Sequence, residues 1–308
     1  MDYKRANRTY LYMILASLFF SILYSLYVLN TGKQLPIIAN NLLSESMILL
    51  PAMAAALYSG DRLSVLVPLK KIRISSALLT LLYVFLLFPL VAFVNSLSML
   101  FVDNTIMEIS DQILELPFWQ MLLSIGLFGP FVEEFVFRGV ILQSYQRTGR
   151  IIGSVVLSSV LFGMMHMNFN QFAYGAVMGI MLALLVEATG SVVTSFIAHA
   201  AFNSTEVCMM YLGRDILENA ESAVGNMDLH NEILLSLGFY FIAAVAATAI
   251  AVCVLVKISE VEGRLLFMRS IPSCKKQGYK LITIPLIIAF VIALAYMIAV
   301  EFLLGLIA

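Results

Sequence analysis

Charged residues are scarce in this chain: of 308 residues, 12% are Asp, Glu, Lys or Arg, while 61% are hydrophobic. A soluble globular domain carries about twice that charged fraction. With a mean hydropathy of +0.97, the composition excludes a water-soluble fold and indicates an integral membrane protein. The formal net charge of −1 leaves no global basic field for nucleic acid or an acidic partner. The three cysteines, Cys208, Cys253 and Cys274, are scattered without CxxC spacing, which argues against a disulfide framework and a thiolate zinc site. There is no internal repeat, low-complexity tract or soluble domain, and the longest polar stretches, 212–232 and 257–280, are loop-sized. Residues 1–308 therefore read as a single membrane domain.

What is present is a series of apolar runs near the roughly twenty residues needed to cross hydrocarbon. They fall at 9–29, 42–58, 76–98, 116–142, 151–168, 172–187, 191–211, 233–256 and 281–306. The expectation is an all-α, polytopic transmembrane bundle of about nine spans, with the first run retained and not cleaved as a signal peptide. Basic residues collect on the cytoplasmic side of membrane proteins, and here they alternate as nine spans require. Lys4, Arg5 and Arg8 precede the first span. Arg62, Lys70, Lys71 and Arg73 follow the second, and Arg147 and Arg150 the fourth. Lys257, Arg264, Arg269, Lys275, Lys276 and Lys280 follow the eighth, while Lys33 and Arg214 fall on the other side. The opposite loops are acidic, with Asp103, Glu108, Asp111 and Glu115 in one and Asp215, Glu218, Glu221, Asp228 and Glu232 in another. A cytoplasmic N-terminus follows.

Several ionisable groups lie inside these runs, where a charge costs at least about 2.5 kcal/mol and usually marks function. Glu133, Glu134 and Arg138 are in the fourth run, His166 in the fifth, and His199 with Asn203 in the seventh. Glu134 and Arg138 are four apart and stack on one helical face as an ion pair. Glu133 points about 100° away and is expected to be the unpaired carboxylate, suited to a general base. His199 and Asn203 are also four apart, so both can donate hydrogen bonds to one point, as an oxyanion hole does. His166, from another helix, could hold a water against Glu133. At about 1.5 Å per residue, His199 lies roughly 12 Å along its run from Ser191 and His166 roughly 22 Å from Ile151, so convergence needs the helices to differ in level or tilt.

At these residues the sequence resembles the CAAX protease and bacteriocin-processing family of intramembrane endopeptidases, related to the Ras-converting enzyme. The motifs are EExxxR as "EEFVFR" from Glu133, FxxxH as "FGMMH" from Phe162 to His166, and HxxxN as "HAAFN" from His199 to Asn203. The resemblance covers about 116–211, the expected catalytic core. It implies an endopeptidase that attacks a peptide bond with water: Glu133 and His166 activate the water, His199 and Asn203 stabilise the oxyanion, and Glu134 and Arg138 support the site. The donor pair favours metal-free chemistry, although two histidines with glutamates leave zinc open. The family's eukaryotic substrates are prenylated CAAX proteins, whereas bacterial members are associated with peptide maturation, bacteriocin immunity or signalling. The short lysine-flanked spans look bacterial. That points to a bacterial plasma membrane and a peptide or membrane-anchored precursor as substrate, with oligomeric state open.

A non-catalytic reading competes, in which the same polar cavity binds a sensor, a transporter or a peptide. A secondary transporter is a third, but it predicts inverted repeats and broken helices that the sequence does not clearly show. Glu206, seven residues after His199, is expected to line the cavity without catalysing. Glu187 and Glu301 are expected to snorkel at span ends, and His230 to sit in a polar loop.

Overall fold

Chains with this little polarity satisfy their backbone groups inside helices, because hydrocarbon offers no hydrogen-bond partner. The computed structural model describes residues 1–102, 110–223, 229–271 and 280–307, without the side chains of 111, 214–223, 229–233, 236 and 303–307. Among the described residues there is helix and no strand. The long helices are α1 (Tyr3–Thr31), α2 (Ile37–Leu57), α3 (Ile74–Ser98), α4 (118–146), α5 (Ile151–Met165), α6 (Phe169–Thr189), α7 (Val192–Ala223), α8 (Leu229–Val261) and α9 (Ile284–Ile307).

Each expected run forms one of these helices. Six are long and apolar enough to cross a membrane: α1, α2, α3, α6, α8 and α9. The other three, α4, α5 and α7, carry or end at the motif residues. With 15 residues, α5 spans only about 22 Å against a hydrocarbon thickness of about 30 Å. The polar stretch 212–232, expected as a loop, is largely taken up by extension of α7 to Ala223 and an early start of α8 at Leu229. His230 and the acidic residues 215, 218, 221 and 232 lie outside the described side chains, as does Asp111. Residues 103, 108, 228 and 274–276 lie outside the described chain.

The exterior is apolar, with Leu29, Phe239, Ile242, Ile284 and Phe302 exposed. In lipid these side chains are solvated; in water they would form aggregating patches. Inside are two main apolar clusters. One joins α1, α2, α4, α5 and α9 through residues such as Tyr10, Ile48, Phe137, Phe162 and Leu286. The other joins α3, α6, α7 and α8 through Leu87, Leu182, Phe202 and Leu255. The motif residues of α4 and α7 sit at the seam between the two.

Two local features position them. α5 and α6 form a tight hairpin: an added Cβ at Gly163 would meet the Phe172 carbonyl at 2.6 Å, and one at Gly179 would meet Ser159 Cβ at 2.8 Å. Only glycine permits that approach. The turn between them places Met167 at φ 58°, a conformation that L side chains rarely adopt, and Asn168 caps α6 by accepting from the Gln171 N–H at 2.7 Å. His166 is consequently the C-cap of α5 and not an interior residue of a span reaching 168.

Candidate active site

α4 changes hydrogen-bond register along its length. Leu122–Phe128 and Phe135–Ile141 are π-helical, separated by the α-helical Gly129–Glu134. Pro130 has no N–H to give the carbonyls one turn back, and its ring crowds them. The freed carbonyls of Ile125 and Gly126 are taken up by α7: Asn203 Nδ2 donates to Ile125 O at 3.2 Å and Ser204 Oγ to Gly126 O at 3.4 Å. π-Segments of this kind are frequent at functional sites. This one ties α4 to the helix that carries His199.

The next turn of α4 presents the glutamates. Glu134 and Arg138, 1% and 2% exposed, form the expected ion pair at 3.0 Å. Glu134 does more than neutralise the arginine, because its Oε1 also accepts from His199 Nδ1 at 2.9 Å. A carboxylate can only accept, so this bond fixes Nδ1 as protonated and turns Nε2 towards Glu133. Arg138 in turn donates to Gly179 O of α6 at 3.4 Å.

Glu133 was expected to be unpaired, and it is not isolated. Its Oε2 lies 3.4 Å from His199 Nε2, and its Oε1 lies 3.8 Å from His166 Nε2. His166 Nδ1 is 3.0 Å from the Phe162 carbonyl. A carbonyl only accepts, so this ring nitrogen is also the donor, and a neutral His166 points its Nε2 lone pair at a carboxylate. Two acceptors then face each other across a gap that a donor must fill. Glu133 and His166 keep partial exposure, 13% and 22%, whereas His199 is 3% exposed.

Phe162 is the hub of this arrangement. Its ring stands edge-on to His166 and His199, with centroids 5.1 and 5.8 Å away, and Arg138 Cζ lies 4.2 Å from its centre. The phenylalanine of FxxxH thus supplies both a carbonyl for one imidazole and an aromatic wall for two.

The structure brings Glu133, Glu134, Arg138, His166 and His199 together. Asn203 is beside them on α7, with one amide hydrogen committed to Ile125 O and the second left over. Glu206 is exposed on α7. Glu187, expected to snorkel, is instead buried; Gln146 Nε2 donates to its carboxyl group, because α6 ends against α4 and not against lipid. Among the described residues no three His, Cys, Asp or Glu side chains form a group that could hold a metal ion.

One carboxyl group escaped the sequence reading. Glu45 of α2 is buried, and an added Cβ at Gly129 of α4 would lie 3.6 Å from its Oε1. The available signal was a lone acid in the otherwise apolar run 42–58.

Residues 115–205, a stretch that contains all seven motif residues, match the family model described as Type II CAAX prenyl endopeptidase Rce1-like. No curated protein and no solved structure matches the chain. With its apolar helices the chain is an integral membrane protein, and the third of it that carries the motifs is similar to the Rce1-like family of CAAX-type membrane endopeptidases.

Proposed function

We propose that this protein hydrolyses a peptide bond in a peptide or membrane-anchored precursor by means of water activated by Glu133 and His166. The observation that supports this most directly is the pair of acceptors facing each other at 3.8 Å, with His166 committed as a donor on its far side. A water between them gives one hydrogen to each, which aims its remaining lone pair outward at a substrate carbonyl.

Glu133 removes the proton as the water oxygen bonds to the carbonyl carbon and the carbonyl pair moves onto oxygen. Imidazolium His199, through Nε2–H, and the second amide hydrogen of Asn203 donate to that oxyanion. The C–N bond then breaks, the carbonyl re-forms, and the nitrogen leaves with the proton held by Glu133. Glu134 orients His199, and Arg138 neutralises Glu134, as support and not as reacting groups. The catalytic core is about 116–211 within a single membrane domain of about nine spans, N-terminus cytoplasmic, in a bacterial plasma membrane.

The test is peptide release by purified Glu133→Gln. Loss of a general base predicts a fall in kcat of about 10²–10⁴-fold, with KM little changed. A Gln variant that cleaves at the wild-type rate removes Glu133 from the chemistry. Two folded forms that both bind a peptide and never cleave it support a binding role for the cavity instead.

A further inference from the structure

α2 carries one carboxyl group into the bundle that the reaction described above does not use. Glu45 is 8% exposed, and its Oε2 has no hydrogen-bond partner. An intramembrane carboxyl group in that condition is costly enough to point to function. A Cβ added at Gly129 would be in ordinary contact, 3.6 Å from Glu45 Oε1 and 3.7 Å from the Ser124 carbonyl. The carboxyl group therefore packs against the Gly129 face of α4.

Gly129 is one helical turn before Glu133. Helical side chains lean over the preceding turn, so Glu133 reaches back across Gly129 towards the space that Glu45 occupies. One turn earlier on α2, Asn41 Nδ2 donates to Ser124 Oγ at 2.9 Å, which anchors α2 in this register. The charged and titratable groups on the helices packed against α2 are the basic residues and tyrosines of α1 and Glu133, Glu134, Arg138 and Tyr145 of α4.

We infer that Glu45 is a positioning residue for the hydrolysis: a carboxylic acid whose O–H is donated, through a water above Gly129, to the Glu133 carboxylate. This rests on Glu133 being the base. Two neighbouring carboxyl groups in a low-dielectric site hold one proton between them. At rest that proton is on Glu45. Glu133 then takes a second proton from the attacking water and returns it to the leaving nitrogen, so the pair ends each turnover as it began. The donated bond holds one oxygen of Glu133 and leaves the other for the nucleophile.

Peptide release by the purified full chain is compared for wild type, Glu45→Met and Glu45→Gln. Met fills the same space without a donor and leaves no buried polar group behind, so it preserves the fold. It is expected to lower kcat about tenfold or more with KM unchanged. Gln keeps a donor that cannot ionise. It should hold kcat within about threefold, well short of losing that bond. A fully active Met variant overturns the inference, as does a Gln variant that is as slow as Met. If Glu133→Gln is inactive while Glu45→Met is fully active, only the role of Glu45 falls. If Glu133→Gln is itself active, the reading of the site falls first.

Discussion

The bond between His199 Nδ1 and Glu134 joins α7 to α4 at 2.9 Å, and both side chains are almost wholly buried. Removing it makes a quantitative test, because it breaks when the helices separate. A hydrogen bond to a charged group contributes about 1.5–3 kcal/mol. Separated membrane helices find other partners, and measured interhelical values reach only about 1.7 kcal/mol, so the lower end is expected here. The double-mutant cycle of Glu134→Gln, His199→Gln and the combined variant should give a coupling energy of about 1.5 kcal/mol. Equilibrium unfolding in mixed detergent micelles, followed by fluorescence of the single tryptophan, Trp119 at the start of α4, measures it. The cycle of Glu134 with Arg138 provides the control. Those residues share one helix, so part of their pairing survives helix separation and their coupling should be smaller. Additivity of Glu134 and His199 within about 0.5 kcal/mol would refute the claim that this bond holds the two helices in register.

Asn203→Ala should destabilise the protein by about 1 kcal/mol through loss of its bond to Ile125 O and should also lower kcat with KM unchanged; a variant that loses stability alone has Asn203 as a helix tie and nothing more. Gly163→Ala forces a methyl group to within 2.6 Å of the Phe172 carbonyl oxygen and should cost more than about 2 kcal/mol in the same unfolding assay. Gly238→Ala, in α8 with nothing within 4 Å, should be neutral or stabilise by up to about 1 kcal/mol. Dialysis against a chelator should leave peptide release unchanged, and loss of cleavage that returns with added zinc would replace the proposed acid–base chemistry by metal-assisted hydrolysis.

Relations along one helix were legible in the sequence. A period of 3.6 residues sets the angle between Glu134 and Arg138, and these two do pair. It likewise separates Glu133 from them and aligns His199 with Asn203. The apolar runs located every long helix, because apolar length is a local property. Their ends were less legible: α5 stops at Met165, where Met167 turns with positive φ, and nothing in the hydropathy of 151–168 marks that stop.

The sequence by itself determined a helical membrane protein, a family resemblance across the motifs, and which side chains share a helical face, since each of these depends on neighbours within a few turns. Only the tertiary structure decided that His199 binds Glu134, that Glu45 packs against α4 at Gly129, that Asn203 meets a carbonyl freed by Pro130, and that Glu187 is buried against Gln146. These contacts depend on the relative level and rotation of separate helices. Those are set by how glycines, prolines and bulky side chains interlock across the bundle, and no periodicity within a single segment records them.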